Sequence, residues 1–305
     1  MVNDRTIRLI SEIVSPSKVR TDEPMSRHTT FRIGGKADLL VEPSEMNQAE
    51  AVLKLLRQME LPYLVIGNGS NLLVGDKGIR GVVVKLGNEF SAHDIEGEVI
   101  TAQSGLKLSR LAKFALGNAL TGLEFAAGIP GTVGGAVFMN AGAYGGEMQQ
   151  VVTEVTFLDE QGIRRTIAGE ECEFGYRTSI FSKMPDCVIL GCKMKLKAGD
   201  ADTIRATMED LAERRTSKQP LNYPSAGSTF KRPEGYFAGK LIQDAGLMGF
   251  RIGGACVSEK HAGFVVNDQG ATAADVRELI EAVQIKVEEK FGVRLEPEVR
   301  FVGEF

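Results

Sequence analysis

The chain is poor in the residues that mark metal and redox sites. Its three histidines, His28, His93 and His261, lie far apart, which excludes a local zinc motif built on paired imidazoles. Its four cysteines, Cys172, Cys187, Cys192 and Cys256, form no Cys-x-x-Cys pair, so zinc-finger and dithiol chemistry find no support. Four buried or partly buried thiols in a cytoplasmic protein are expected instead. No run reaches the roughly 18 apolar residues that span a bilayer. Residues 1–20 mix charges with isolated apolar residues, which excludes the apolar stretch of a secretory signal there. A basic surplus is missing too: 36 Lys and Arg face 40 Asp and Glu, for a net charge of −4. That balance argues against a nucleic-acid partner, while leaving room for a local anion site. There is no internal repeat and no low-complexity tract.

What is present fits a soluble protein with more than one core. The 305 residues are 43% hydrophobic and 25% charged, with a length that suits about two domains. Residues 36–43 read as a strand ended by Pro43. Ser44 is placed to cap a helix from Met46 to Met59, with Val52, Leu53, Leu55 and Leu56 on one side. Tyr63–Ile66 and Gly81–Leu86 read as apolar strands, so the first 90 residues make an α/β unit. Residues 106–116 have helical spacing, with Leu108, Leu111, Ala112 and Ala115 on one face. Val151–Leu158 and Ile163–Ile167 flank Asp159-Glu160-Gln161-Gly162, a hairpin turn. Val188–Lys197 reads as a strand with one wet face. A domain boundary is placed near residue 200. Asp202 then caps a helix to about Arg215, with Ile204, Met208 and Leu211 on one face. Thr272 and Asp275 form a capping box for a last helix, whose stripe is Val276, Leu279, Ile280, Val283 and Val287. Gly292 stops it, and Val299–Val302 is a final strand.

The 35 glycines cluster in two places. The first is Gly67-Asn68-Gly69-Ser70-Asn71, directly after the strand Tyr63–Ile66. Its glycines let backbone N–H groups approach a ligand, and successive N–H groups make an anion-binding concavity. Ser70 and Asn71 add side-chain donors. Leu72 occupies the place of the third glycine of a dinucleotide fingerprint, and no Gly-Lys-Ser/Thr follows, so both standard phosphate loops are excluded. By itself this loop reads equally as a plain tight turn. The second cluster, residues 127–146, holds seven glycines in twenty residues, including Gly128-Ile129-Pro130-Gly131-Thr132-Val133-Gly134-Gly135. With Pro130, Val133, Val137 and Phe138 among them, these residues suggest a backbone-lined pocket for a flat ligand and its phosphates. Close helix–strand packing is the competing reading.

Three polar positions could carry chemistry. Arg177, in Phe174-Gly175-Tyr176-Arg177-Thr178-Ser179, could clamp a carboxylate or phosphate with its planar fork. Ser228, in Pro224-Ser225-Ala226-Gly227-Ser228-Thr229-Phe230-Lys231-Arg232-Pro233, has a glycine before it and cations after it. It lacks the Gly-x-Ser-x-Gly frame of a hydrolase nucleophile. Glu296 and Glu298 flank Pro297 before a strand. Strand alternation turns only one of them inward, and spacing does not choose between them. Each of these positions also reads as an ordinary turn or surface residue.

Taken together, the motifs resemble the bacterial UDP-N-acetylenolpyruvoylglucosamine reductases, the MurB family. The matching segments are His28-Thr29-Thr30-Phe31-Arg32-Ile33-Gly34-Gly35, Ile66–Leu72, Ala127–Gly135, Gly175-Tyr176-Arg177, Ala226–Phe230 and the stretch through Glu298. They stand in the family's order over nearly the whole chain. The resemblance implies an α+β protein: a two-lobed FAD-binding domain of the vanillyl-alcohol-oxidase type at residues 1–200, split near residue 85, then a smaller α+β substrate-binding domain at 201–305. It implies noncovalent FAD held by Gly67, Asn68, Gly69, Ser70, Asn71, Gly128, Ile129, Pro130, Gly131, Thr132, Gly134 and Gly135. No histidine lies in either loop to attach flavin covalently. It implies NADPH as co-substrate and a UDP-sugar enol ether as substrate, with UDP-N-acetylmuramate, a peptidoglycan precursor, as product. Arg177 and Glu298 would handle an enolate-like intermediate and Ser228 would protonate its carbon. Lys231, if turned inward, would stabilise the alkoxide left behind. Tyr144, Tyr176, Lys218, Asn222 and Tyr223 are candidates for gripping the substrate. Arg232 departs from the Asn that some members carry before the proline. Two other readings remain open at this level: a flavin oxidoreductase of the same fold with another substrate, and a non-catalytic nucleotide-sugar-binding protein.

Overall fold

The computed structural model describes residues Val2–Phe305. Its helices are α1 (Asp4–Ile13), α2 (Met46–Gln58), α3 (Leu108–Gly117), α4 (Val133–Met139), α5 (Ala201–Lys218), α6 (Ala238–Asp244) and α7 (Ala273–Phe291). The chain folds into two compact units. The first comprises Met1–Arg20, Leu39–Asn68 and Gly81–Arg215; the second comprises Thr21–Asp38, Gly69–Arg80 and Thr216–Phe305. No described helix is long and apolar enough to cross a membrane.

The first unit has two cores. In one, α1 and α2 bury Ile10, Ala49, Val52, Leu53 and Leu56 with the valines 82 and 84. The expected α/β unit is there: Tyr63–Ile66 runs parallel to residues 82–85, with Tyr63 opposite Val82 and Ile66 opposite Lys85. Ser44 is not the cap of α2. That position belongs to Glu45, while the Ser44 N–H and hydroxyl both donate to Gln48 Oε1 at 3.0 Å. The second core lies on a five-stranded antiparallel sheet. Its order is Arg164–Ala168, Val152–Leu158, Val188–Lys195, Val99–Gln103, His93–Glu96. The hairpin turn forms as expected, and Asp159 Oδ1 accepts the N–H groups of Gln161 and Ile163. In the strand Val188–Lys195 the wet face lies at the lysine end, where Lys193 and Lys195 are exposed and Met194 is buried. Residues 188–192 are buried on both faces: Ile189 and Cys192 share a core with α4, and Val188 and Leu190 share the core of α1 and α2.

At α5 the cap differs from expectation as well. Asp200, not Asp202, accepts the Thr203 N–H at 2.9 Å, because an N-cap carboxylate must precede the first helical residue. Only Ile204 of the expected face is buried. Cys172, Cys192 and Cys256 are buried and Cys187 half-buried, all as free thiols. Burial pushes the Cys172 thiol up to about 11 and that of Cys192 up to about 12, so neither is a nucleophile near neutral pH.

In the second unit α7 begins and ends where the sequence places it. Thr272 and Asp275 cap each other reciprocally, and Gly292 takes the left-handed C-cap position. Asp76 strengthens the start, accepting the N–H groups of Ala273 and Ala274 at 2.8 and 3.0 Å. Val276, Leu279, Ile280, Val283 and Val287 then pack into a core with α6, Phe31 and Phe230. Burying side chains of this size contributes about 1.5–3 kcal/mol each. A three-stranded antiparallel sheet (Arg251–Ile252, Ala255–Val257, Val265–Asn267) covers this core. Leu72–Val74 pairs in parallel with Arg300–Val302.

Candidate active site

In the first unit the end of one glycine loop lies against the other. A Cβ on Gly67 would stand 2.3 Å from Thr132 Oγ1, so only glycine permits this approach. The Asn68 side-chain amide donates to the Pro130 carbonyl at 2.6 Å and ties the loops together. The second loop does not stay irregular. From Val133 it winds into α4, and Gly134 packs so tightly on Ser104 that a Cβ would come within 2.7 Å of Ser104 Cβ. The close-packing reading holds for part of this segment. Close packing accounts for Gly134, whereas Gly128, Pro130 and Gly135 are exposed. The N–H groups of Val133 and Gly134 are already bonded to the carbonyls of Leu106 and Ser104.

Arg215, in the last turns of α5, lies along this loop. A Cβ on Gly128 would meet its guanidinium at 3.1 Å. Among the described residues it makes no ion pair. Burial draws its pKa below the usual value, and the nearby Tyr144 hydroxyl acts in the opposite sense. A half-buried cation without a counter-ion suits an anionic ligand. Sequence reasoning missed Arg215, because nothing near residue 215 points to residue 128.

Arg177 sits in a β-turn from Gly175 to Thr178. Gly175 N–H donates to the Thr178 carbonyl at 3.1 Å and Thr178 N–H to the Gly175 carbonyl at 3.3 Å. Arg177 has φ +55°, a conformation unusual for a residue with a Cβ. Its guanidinium carbon lies 5.3 Å from the centre of the Tyr176 ring. Tyr176 and Tyr144 are both exposed.

In the second unit Ser228 and Glu298 lie on adjoining chain segments. Phe230 bridges Pro297, and Glu298 N–H donates to the Thr229 carbonyl at 2.8 Å. Thr229 is the fixing point. Its N–H donates to the Gly263 carbonyl at 2.8 Å, and its hydroxyl oxygen accepts the Val265 N–H at 2.9 Å. With Thr229 buried and held at three points, Ser228 beside it is exposed on a rigid backbone. Thr229 is a second residue that local sequence did not single out. Asn71 also belongs to this cluster, donating a side-chain N–H to the Glu298 carbonyl at 3.0 Å.

The pair Glu296 and Glu298, equal by spacing, are unlike in space. Glu296 is 71% exposed and holds Lys231 Nζ at 3.2 Å, whereas Glu298 is half-buried. The expectation that Lys231 turns inward is thereby corrected: its ammonium is taken by Glu296 on the outer face. Arg232 stacks over Phe237, with its guanidinium carbon 4.0 Å from the ring centre. Lys218, Asn222 and Tyr223 are exposed on the stretch leading to Ser228.

Known proteins resemble this chain over nearly its full length. Residues 37–167 match the family model described as "FAD binding domain", and residues 219–302 match "UDP-N-acetylenolpyruvoylglucosamine reductase, C-terminal domain". The UDP-N-acetylenolpyruvoylglucosamine reductase of Alkaliphilus oremlandii is 50% identical over 300 residues, covering 98% of each chain. That of Clostridioides difficile is 52% identical over 292 residues, covering 96% of each. The crystal structure of UDP-N-acetylenolpyruvylglucosamine reductase (MurB) from Thermus caldophilus superposes with a TM-score of 0.78 at 35% identity, covering 91% of this chain and 97% of its own. A p-cresol methylhydroxylase, 12% identical with a TM-score of 0.50 over 64% of this chain and 43% of its own, shares the fold alone. With full-length identity of this order and both family models matched, the chain belongs to the UDP-N-acetylenolpyruvoylglucosamine reductase (MurB) family.

Proposed function

We propose that the chain reduces the enolpyruvyl group of UDP-N-acetylglucosamine enolpyruvate to give UDP-N-acetylmuramate, with NADPH as reductant and FAD as cofactor, in cytoplasmic peptidoglycan precursor synthesis. The observation that carries the residue roles is the three-point fixation of Thr229, which holds Ser228 exposed on a segment bonded to Glu298.

The first unit fits the cofactor. Exposed backbone at Gly128, Pro130 and Gly135 lies beside a glycine contact that any side chain at 67 would fill, and Arg215 supplies an uncompensated cation. The residues that would hold FAD are Gly67, Asn68, Gly128–Thr132 and Gly135, with Arg215 toward a negatively charged part. Held there, FAD would supply hydride transfer from NADPH to the enolpyruvyl double bond. An Arg215→Met protein is expected to bind FAD about tenfold more weakly, a difference of about 1.4 kcal/mol. Fluorescence titration of the apoprotein checks this; an unchanged dissociation constant would remove Arg215 from the site.

Addition of hydride beside a carboxylate leaves an enolate-like intermediate on the substrate. Arg177 matches such a carboxylate through its two-pronged donor geometry. Glu298, half-buried, orients or relays a proton of the substrate. Ser228 Oγ–H protonates the carbon: the O–H bond breaks, a C–H bond forms, and the serine oxygen recovers its proton from solvent. Serine is a weak acid, but an enolate carbon is strongly basic, so a fixed donor suffices.

The direct test follows NADPH oxidation by the purified yellow protein with and without UDP-N-acetylglucosamine enolpyruvate. Oxidation that depends on the enol ether, with stoichiometric UDP-N-acetylmuramate, is expected. Equal rates without it would mark an oxidase or another substrate, and a protein that takes up no flavin would be a binding module.

A further inference from the structure

We propose that Asn140 is the positioning residue for Arg177. The inference rests on the role given to Arg177 above, and it concerns how that arginine is kept in place.

The two backbone bonds inside the Arg177 turn close it around a strained position. The turn's third position demands positive φ, where glycine or asparagine is usual, yet an arginine stands there at +55°. Such a residue is strained and persists only where its surroundings over-determine it. Those surroundings are the C-terminal end of α4. Asn140 caps that helix in the left-handed conformation, φ +42° and ψ +56°, and is 1% exposed. One N–H of its side-chain amide donates to the Gly175 carbonyl at 3.1 Å, the first residue of the turn. The other donates to Glu147 Oε2 at 3.1 Å. Its Oδ1 accepts the Gln149 N–H at 3.0 Å.

This pattern leaves the amide one orientation. A flip would set Oδ1 against a carbonyl and a carboxylate, and would turn the NH2 group toward another N–H. A second strap lies just beyond the turn: Ser179, also 1% exposed, donates its hydroxyl to the Phe138 carbonyl at 2.8 Å. Both straps reach the last turn of α4, one before Arg177 and one after it. The turn is therefore clamped from outside at Gly175 and Ser179, and Arg177 is presented from a frame that Asn140 closes.

The test uses flavin-loaded full-length protein. Asn140→Asp keeps size and tolerance of positive φ but turns a donor into an acceptor facing Gly175. Asn140→Gly keeps the backbone conformation with no side chain, and serves if the aspartate variant folds poorly. In either variant, flavin content and NADPH-driven flavin reduction should stay within about twofold of wild type. Reoxidation by the enol ether should slow about ten- to a hundredfold, as a small misplacement of a reacting group does. Hydrogen exchange at the Thr178 amide should accelerate at least about tenfold, with α4 unchanged, because the turn opens locally. In an Arg177→Lys background the Asn140 change should add little, since residues acting as one unit are not additive.

Wild-type reoxidation, or unchanged exchange at Thr178, overturns the proposal. So does a fall in flavin content or in both half-reactions alike, which makes Asn140 a cofactor-loop residue. An Arg177→Lys protein with full activity instead defeats the role given to Arg177, and is distinguishable because the exchange readout at Thr178 does not depend on turnover.

Discussion

A Ser228→Ala protein is expected to bleach its flavin with NADPH at the wild-type rate, yet to reduce the enol ether about a hundred to ten thousand times more slowly, the usual contribution of a placed general acid. The fold should not suffer. Ser228 is exposed, and the bonds that fix its segment belong to Thr229: its N–H to Gly263, its hydroxyl to Val265, its carbonyl to Glu298. Alanine keeps the Cβ and removes a single hydroxyl, a change normally within about 0.5 kcal/mol at the surface. The two half-reactions are measured by stopped-flow absorbance, one with NADPH alone and one with pre-reduced protein and substrate. If the second half-reaction kept its rate, the proton would come from elsewhere and Ser228 would be only a turn residue.

The second large effect belongs to Gly69. A Gly69→Ala protein is expected to emerge nearly colourless, with FAD affinity weakened at least about tenfold. Gly69 has φ +60°, and a Cβ there would lie 2.2 Å from the His28 carbonyl oxygen. Left-handed backbone costs alanine about 1–2 kcal/mol. The collision adds to that, since backbone cannot swing aside as a side chain can. His28 has little room to yield: it is buried, and its Nε2 lies 2.9 Å from Glu23 Oε1. The loop must move, and the neighbouring Asn71, bonded to the Glu298 carbonyl, moves with it. Visible absorbance, flavin titration and thermal unfolding read the outcome together. A yellow protein with wild-type flavin content would reject the loop as a cofactor element. A lower melting temperature with an unchanged FAD dissociation constant would make Gly69 a folding glycine alone.

Elements whose determinants are local were legible in the sequence. Helix α7 carries its start, Thr272 and Asp275, its stop, Gly292, and its apolar stripe within twenty-one residues, and each appears where expected. The hairpin around Asp159 is equally self-contained, since Asp159 bonds to Gln161 and Ile163. Caps went astray by one or two residues, at Glu45, which makes no side-chain cap bond, and at Asp200, which accepts the Thr203 N–H. Helix α4 escaped notice for the opposite reason. Its Val133-Gly134-Gly135 start has poor helix propensity, and packing on Ser104 makes Gly134 necessary there.

The site divides along the same line. By itself the sequence determined the family, the order of its motifs, the glycine loops, and Arg177, Ser228 and Glu298 as candidates, because residue identity and spacing along the chain are enough for each. Tertiary structure alone showed how Glu298 and Glu296 differ in exposure, paired Lys231 with Glu296, and brought in Thr229, Arg215 and Asn140. Asn140 and Gly175 are 35 positions apart, and Arg215 and Gly128 are 87. Contacts at such separations leave no trace in local periodicity. They exist only once burial has closed the intervening chain and every enclosed donor has had to find an acceptor.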